Sequence, residues 1–382
     1  MPEIYLDNSA TTAVCSEAVN KITEMLTEKY GNPSSLHSKG LQAEQEVEAA
    51  RRQIADCLGA APNEIIFTSG GTEANNLAVI GAAQAAKRKG NKIVTTAFEH
   101  SSVLESMRFL QENGFEVVYL QPDRNGRIKE SDIIDATDEN TILISIMTVN
   151  NEIGSIQPIS SIKRAVRLKK SPALIHTDAV QAFGKLDLKR IRSDVDLMTV
   201  SAHKIHGPKG IGAIYIKNGV RIIPQLHGGE QQRKLRPGTE ASPLIAGFGA
   251  AVKALPDIKK EYGQIQKLHD YCKEQLCAVN GIFINSQDDC LPYILNASVV
   301  GIRSETMLHY LASKNIFVSS GSACAKGKKS HVLTALGLDA DRTDSAIRIS
   351  FSRYNTLNDI DELVQAVKSG LNSLARTHKS TK

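Results

Sequence analysis

Aromatic side chains make up only 5% of this 382-residue chain, and cysteine occurs six times, at Cys15, Cys57, Cys272, Cys277, Cys290 and Cys324. Six cysteines without C-x-x-C spacing in so long a chain exclude a disulfide framework, so the thiols are expected to be reduced. No segment reaches the ~20 uninterrupted apolar residues of a membrane-spanning helix, and MPEIYLDNSATT lacks a basic stretch followed by an apolar one. A cytoplasmic protein without a membrane partner is expected. Net charge is also small: 46 Lys and Arg against 41 Asp and Glu give +5, spread along the chain without aromatic interleaving, so direct nucleic-acid binding is not expected. What is present, 41% apolar and 23% charged residues, excludes disorder as the dominant state. The length fits two or three domains.

Short β-rich runs alternate with helical patterns through the first two-thirds, which predicts a mostly parallel sheet with helices on both faces. Seven strands are expected, at 64–68 (EIIFT), 92–96 (KIVTT), 116–120 (EVVYL), 141–147 (TILISIM), 173–177 (ALIHT), 197–200 (LMTV) and 212–216 (GAIYI). Helical spacing covers 42–58, 73–88 and 160–170. Only SAHKIHGPKGI separates the last two strands, too little for a helical crossover, so they are expected to form an antiparallel edge. After Pro243 the βα rhythm stops: 244–280 reads as one long helix or a pair broken near Pro256, and the remainder as a smaller α+β unit. The expected division is a large domain over 16–257 and a small one from 1–15 and 258–382. The polar, basic tail over 376–382 is expected to fray.

In SAHKIHGPKG, residues 201–210, Lys204 follows a buried strand. Desolvation there lowers an amine's pKa and frees it for Schiff-base chemistry. An isolated lysine is ordinarily a solvated surface group, but Lys204 has company. Strand ALIHT runs into Asp178 and Gln181, placing a carboxylate at the strand end where open α/β sheets bind ligands. A carboxylate can keep a pyridine nitrogen protonated, and the lysine–aspartate pair is the one pyridoxal phosphate requires. Strand EIIFT leads into SGGTEANN, where Gly71 and Thr72 open a helix whose free N–H groups suit a phosphate. GPKGIG, 207–212, has its glycines in the wrong order and precedes a strand, so it is no dinucleotide fingerprint.

Two more strand ends point at the same place. His100 follows KIVTT and can stack on a flat ring and carry protons, and Asn151 in VNNEIG can bond a ring oxygen. Cys324 sits in VSSGSACAKGKKSHVL, a polar run without apolar periodicity, and the neighbouring Lys326, Lys328 and Lys329 favour its thiolate. Arg348, the single charge in strand AIRIS, can grip a carboxylate with two parallel hydrogen bonds, or else face solvent from an edge strand.

Across nearly its whole length the chain resembles the NifS/IscS-type cysteine desulfurases, fold-type I pyridoxal-phosphate enzymes of the class-V aminotransferase family. The resemblance is carried, in order, by YLDNSATT, YGNPSSLH, SGGTEANN, EHSSVL, VNNEIG, HTDAVQ, SAHKIHGPKG, RPGTE, SSGSAC and IRIS. It implies that Lys204 holds the cofactor covalently, Asp178 pairs with its ring nitrogen, Gln181 and Asn151 contact its ring oxygen, and His100 stacks on it. Gly71, Thr72, Ser201 and His203 would bind the phosphate. A homodimer is implied, with Thr239 reaching the phosphate in the partner subunit, and Asn8 and Arg348 would orient the substrate. The implied reaction takes sulfur from L-cysteine, releases L-alanine and leaves a persulfide on Cys324 for an acceptor protein, without any metal. The stretch after Cys324 is shorter than in the housekeeping iron–sulfur enzymes and basic, so the acceptor is either an iron–sulfur scaffold or a tRNA-thiolation or cofactor-maturation partner. Selenocysteine lyase and aminotransferase remain the alternatives on the same frame, with Cys324 arguing against the latter.

Overall fold

The computed structural model describes residues 3–320 and 330–374. Cys324 and the lysines beside it, like the basic tail, lie outside the described residues.

A seven-stranded sheet forms in the spatial order Ile65–Thr68, Gly212–Ile216, Leu197–Ser201, Leu174–Asp178, Thr141–Ser145, Lys92–Thr96 and Glu116–Leu120. Every pairing is parallel except the two made by Gly212–Ile216. Because the sheet is covered on both faces, its strands read as continuous apolar runs rather than alternating ones. Successive residues serve opposite layers. Ile66, Leu197 and Ile214 pack with helices Gly71–Ala86 and Ser101–Glu112, whereas Phe67, Met198 and Ala213 pack with Ser38–Leu58 and Ser242–Lys253.

The strand pair over 197–216 is antiparallel, but it is not the edge of the sheet. Ile65–Thr68 pairs with the free side of Gly212–Ile216 and forms the edge itself. All five residues of Gly212–Ile216 are buried, which suits an interior strand. The helical stretch after Pro243 is a pair, Ser242–Lys253 and Ile258–Cys277. Pro256 supplies no amide to continue the first helix, and the Asp257 carboxylate caps the second by accepting from the Lys260 N–H at 2.9 Å.

A second, antiparallel sheet has the order Ser319–Ser320, Ala346–Ser350, Ile294–Val299 and Ile282–Ile284. The N-terminal strand Ile4–Tyr5 returns to pair in parallel with Ile316–Phe317, and Asp7 bridges to Ser350. These long-range pairings carry residues 7–12 and Arg348 to the carboxyl ends of the large sheet's strands. Among the described residues no helix is long and apolar enough to cross a membrane, and no group of His, Cys, Asp and Glu is arranged to hold a metal ion.

Candidate active site

A cavity of about 450 Å³ opens at the carboxyl ends of the parallel strands, where open α/β sheets bind ligands. Of the residues singled out from sequence, Gly71, Thr72, His100, Asn151, Asp178, Gln181, Ser201, His203, Lys204 and Arg348 all line it.

The strand-to-helix turn at one end is made by Gly70, whose φ of 155° is rarely open to a residue with a Cβ. A Cβ on Gly71 would meet the Val180 side chain at 3.0 Å, so the first turn of helix Gly71–Ala86 lies close against the loop carrying Asp178. Ser201 lines the same end, and its buried Oγ has no hydrogen-bond partner. His203 is held by burial and by the nearby Lys204 and Lys209 charges at a pKa of about 3, so its ring is neutral.

Asp178 is almost fully buried. Its Oδ1 accepts the Val180 N–H at 2.9 Å and its Oδ2 accepts from the Asn75 amide at 2.8 Å. Asn75 also donates to Ser102 Oγ at 2.9 Å, and that hydroxyl lies 2.8 Å from His100 Nδ1. His100 caps helix Ser101–Glu112, its Nδ1 accepting the Ser102 N–H at 3.2 Å. An accepting Nδ1 leaves the ring proton on Nε2. Burial lowers the His100 pKa, against the pull of Asp178.

Lys204 donates to the carbonyl oxygens of Ser9 and Ala10 at 2.6 and 2.7 Å. Desolvation, together with the charges of Arg348 and Lys185, pushes its pKa down to about 7, which leaves a neutral, nucleophilic amine available near neutral pH. Gln181 donates from Nε2 to the same Ser9 oxygen at 3.0 Å. Arg348 does not face solvent. It stands on an interior strand, 2% exposed, donating from Nη1 to the Asn151 oxygen at 2.9 Å and from Nη2 to Asp7 Oδ1 at 3.0 Å, while its buried Nε has no partner.

Two residues singled out from sequence lie elsewhere. The Asn8 amide is committed to the Ser350 oxygen at 2.9 Å, with Tyr5 O and Asn355 Oδ1 at 3.3 Å. It faces a smaller cleft behind Lys204 rather than the main cavity, because the Asp7–Ser350 bridge turns its side chain toward the second sheet. Thr239 is exposed and away from the cavity. Asn75, Glu152 and Lys185 were not among the residues singled out from sequence. Asn75 carried a signal, since it is a polar residue on the buried face of an alanine-rich helix. Glu152 lines the cavity, burial pushes its carboxyl up to about 7, and it accepts from Ser330 Oγ at 2.5 Å.

A lysine with a depressed pKa, a buried carboxylate and a helix N-terminus around one cavity define a pyridoxal-phosphate enzyme of the α/β type. Residues 4–363 match the class-V aminotransferase family. The chain is 41% identical over 368 residues to a cysteine desulfurase IscS of Methanosarcina thermophila, covering 95% of this chain and 91% of that one. Among solved structures, a NifS-like protein superposes with a TM-score of 0.91 at 37% identity, over 97% of this chain and 100% of the other. SspA in complex with cysteine gives a TM-score of 0.81 at 34% identity, over 92% and 100%. The chain belongs to the class-V aminotransferases, and within them to the cysteine desulfurases.

Pyridoxal phosphate is the cofactor of this family, and the cavity fits it. The Ser201 hydroxyl and the Asn75 Oδ1 are buried there without partners, and an unmet buried polar atom costs about 1–3 kcal/mol until a ligand satisfies it. The turn at 70–71 leaves room for an anion, and Lys204 and Asp178 supply the amine and carboxylate.

Proposed function

We propose that the chain is a pyridoxal-phosphate-dependent cysteine desulfurase that removes sulfur from L-cysteine, releases L-alanine and collects the sulfur as a persulfide on Cys324. The observation carrying this is the convergence of Lys204, Asp178, His100 and Arg348 on one cavity. When bound, the cofactor supplies an electron sink for negative charge on the substrate carbon beside the nitrogen.

Lys204 would hold the cofactor, and its amine, when free, would carry a proton to or from the substrate carbon. Asp178, steadied by Asn75, would keep the ring nitrogen protonated, and His100 would stack on the ring. Gly71, Thr72, Ser201 and His203 would hold the phosphate, and Gln181 and Asn151 the ring oxygen. Arg348, already oriented by Asp7 and Asn151, receives the substrate carboxylate, while Asn8 braces the segment carrying Ser9 and Ala10. The Cys324 thiolate attacks the cysteine sulfur: an S–S bond forms, the substrate C–S bond breaks, and the carbon takes up a proton to give alanine. The terminal sulfur then passes to a thiol on an acceptor protein, an iron–sulfur scaffold or a tRNA-thiolation sulfurtransferase. A cytoplasmic homodimer completes the proposal, its exposed Thr239 reaching the partner's phosphate site and its cavity lying between a large domain over 16–257 and a small one from 1–15 and 258–382.

The test compares Lys204→Ala, Cys324→Ala and the wild type for cofactor absorbance and alanine release from L-cysteine. Cys324→Ala is expected to keep the absorbance and lose alanine release, and Lys204→Ala to lose both. Wild-type turnover by Cys324→Ala would contradict the proposal.

A further inference from the structure

A second lysine is buried behind the first. Lys185 follows Gly184, whose φ is 72° and where a Cβ would meet Ile205 Cγ2 at 2.9 Å. The turn is therefore pressed against the residue after Lys204, and Lys185 and Lys204 line one cleft of about 20 Å³ with Asn8, Glu261 and Tyr293. Lys185 is 6% exposed. Its Nζ lies 3.5 Å from Gln181 Oε1 and 5.2 Å from the centre of the Tyr293 ring. Among the described residues no carboxylate oxygen lies within 4.0 Å of that amine.

Burying an ammonium group without a contacting counter-ion is costly, and replacing it with an apolar chain of similar volume usually relieves that cost. One neighbour of Lys185, Gln181, connects it to Lys204, and two others, Tyr293 and Glu261, share the cleft with both lysines. Gln181 bonds the Ser9 oxygen, and that oxygen also accepts from Lys204. Tyr293 offers its ring face, which favours a cation. Glu261, on helix Ile258–Cys277, lies across the cleft, where its charge favours an ammonium at Lys185.

We propose that Lys185 is a positioning residue for Lys204: its ammonium group stands behind the Lys204 amine, keeps that amine in its neutral, nucleophilic form, and fixes the Gln181 side chain that shares the Ser9 oxygen with it. The charges acting on Lys204 come from several elements. Arg348 and Lys185 disfavour its protonation and Asp7 and Asp178 favour it; of the two histidines facing the same cavity, burial lowers the pKa of His100 and holds that of His203 at about 3. Around Lys185, Glu261 favours the charge and Arg348 opposes it, and His206 is kept uncharged by burial. Lys185, lowered to about 8, keeps most of its charge where Lys204, at about 7, is losing its own.

The inference rests on the pyridoxal-phosphate reading of the cavity, and it is tested without turnover. The full chain, freed of cofactor, is mixed with pyridoxal phosphate, and the rate at which the visible imine band grows is followed against pH. Only the neutral amine attacks the aldehyde, so the midpoint reports Lys204. Lys185→Met and Lys185→Gln, either of which suffices if the other fails to fold, are expected to move the midpoint up by about one pH unit. Lys185→Arg, which keeps the charge, is expected to hold the wild-type midpoint or fall below it. An unmoved midpoint in the neutral variants, or a rise in Lys185→Arg as large as in Lys185→Met, overturns the proposal. If the wild type forms no imine at all, the functional reading falls and this inference with it; if it forms one and the midpoints coincide, only this inference falls.

Discussion

Asn75 holds Asp178: one amide nitrogen donates to Asp178 Oδ2 at 2.8 Å and to Ser102 Oγ at 2.9 Å, joining the buried carboxylate to the side of the cavity that carries His100. Hydrogen bonds to charged groups contribute about 1.5–3 kcal/mol. Asn75→Ala is accordingly expected to weaken cofactor binding by roughly 10- to 100-fold. Asn75→Asp, which sets a second carboxylate against Asp178, should weaken it further. Equilibrium dialysis followed by cofactor absorbance measures both.

Glu152 predicts a pH signature in stability. Burial raises its pKa from 4.5 to about 7, so the folded state binds more protons than the unfolded chain between those values. Stability contributed by the protonated carboxyl is full below about pH 4.5 and is lost as pH rises through about 7. Glu152→Gln is never ionised, and its side-chain oxygen still accepts from Ser330. Its stability relative to wild type should therefore improve between pH 4.5 and pH 7 and then level off, by roughly 1–3 kcal/mol. Denaturant unfolding at pH 5 and pH 8 reads the difference, and equal values would contradict the assignment.

Arg348 is both a structural tie and the proposed seat of the substrate carboxylate. Arg348→Lys keeps a charge but loses the planar fork that reaches Asn151 O and Asp7 together. KM for L-cysteine is expected to rise about tenfold or more, with a smaller change in kcat, corresponding to ~1.4 kcal/mol of lost binding. Arg348→Ala should also destabilise the fold by about 3–5 kcal/mol, since it leaves Asp7 without its buried partner. Steady-state kinetics beside thermal unfolding separates the two effects.

Much of this arrangement was legible in the sequence because parallel strands buried on both faces produce short, uninterrupted apolar runs, and because the polar residues that close those runs collect at one edge. Asp178, His100 and Lys204 are such residues. The position of Ile65–Thr68 outside Gly212–Ile216 was not legible, since strand order is set by pairings distant along the chain and either strand is apolar enough for an interior place. The orientation of Asn8 was hidden for the same reason: it depends on Asp7 bridging Ser350, more than three hundred residues away. Lys185 lies among apolar neighbours in QAFGK, and nothing in that pattern shows that the Gly184 turn folds it against Lys204.

The central claim is that sulfur from L-cysteine is collected on Cys324. The most direct measurement incubates the cofactor-loaded protein with one equivalent of L-cysteine, digests it after blocking free thiols, and maps each of the six cysteines by mass spectrometry while alanine is quantified. One added sulfur atom on Cys324, matched by alanine and absent from Lys204→Ala, is the expected result. Alanine formed in full with no added sulfur on Cys324, or sulfur found on another cysteine instead, would contradict it.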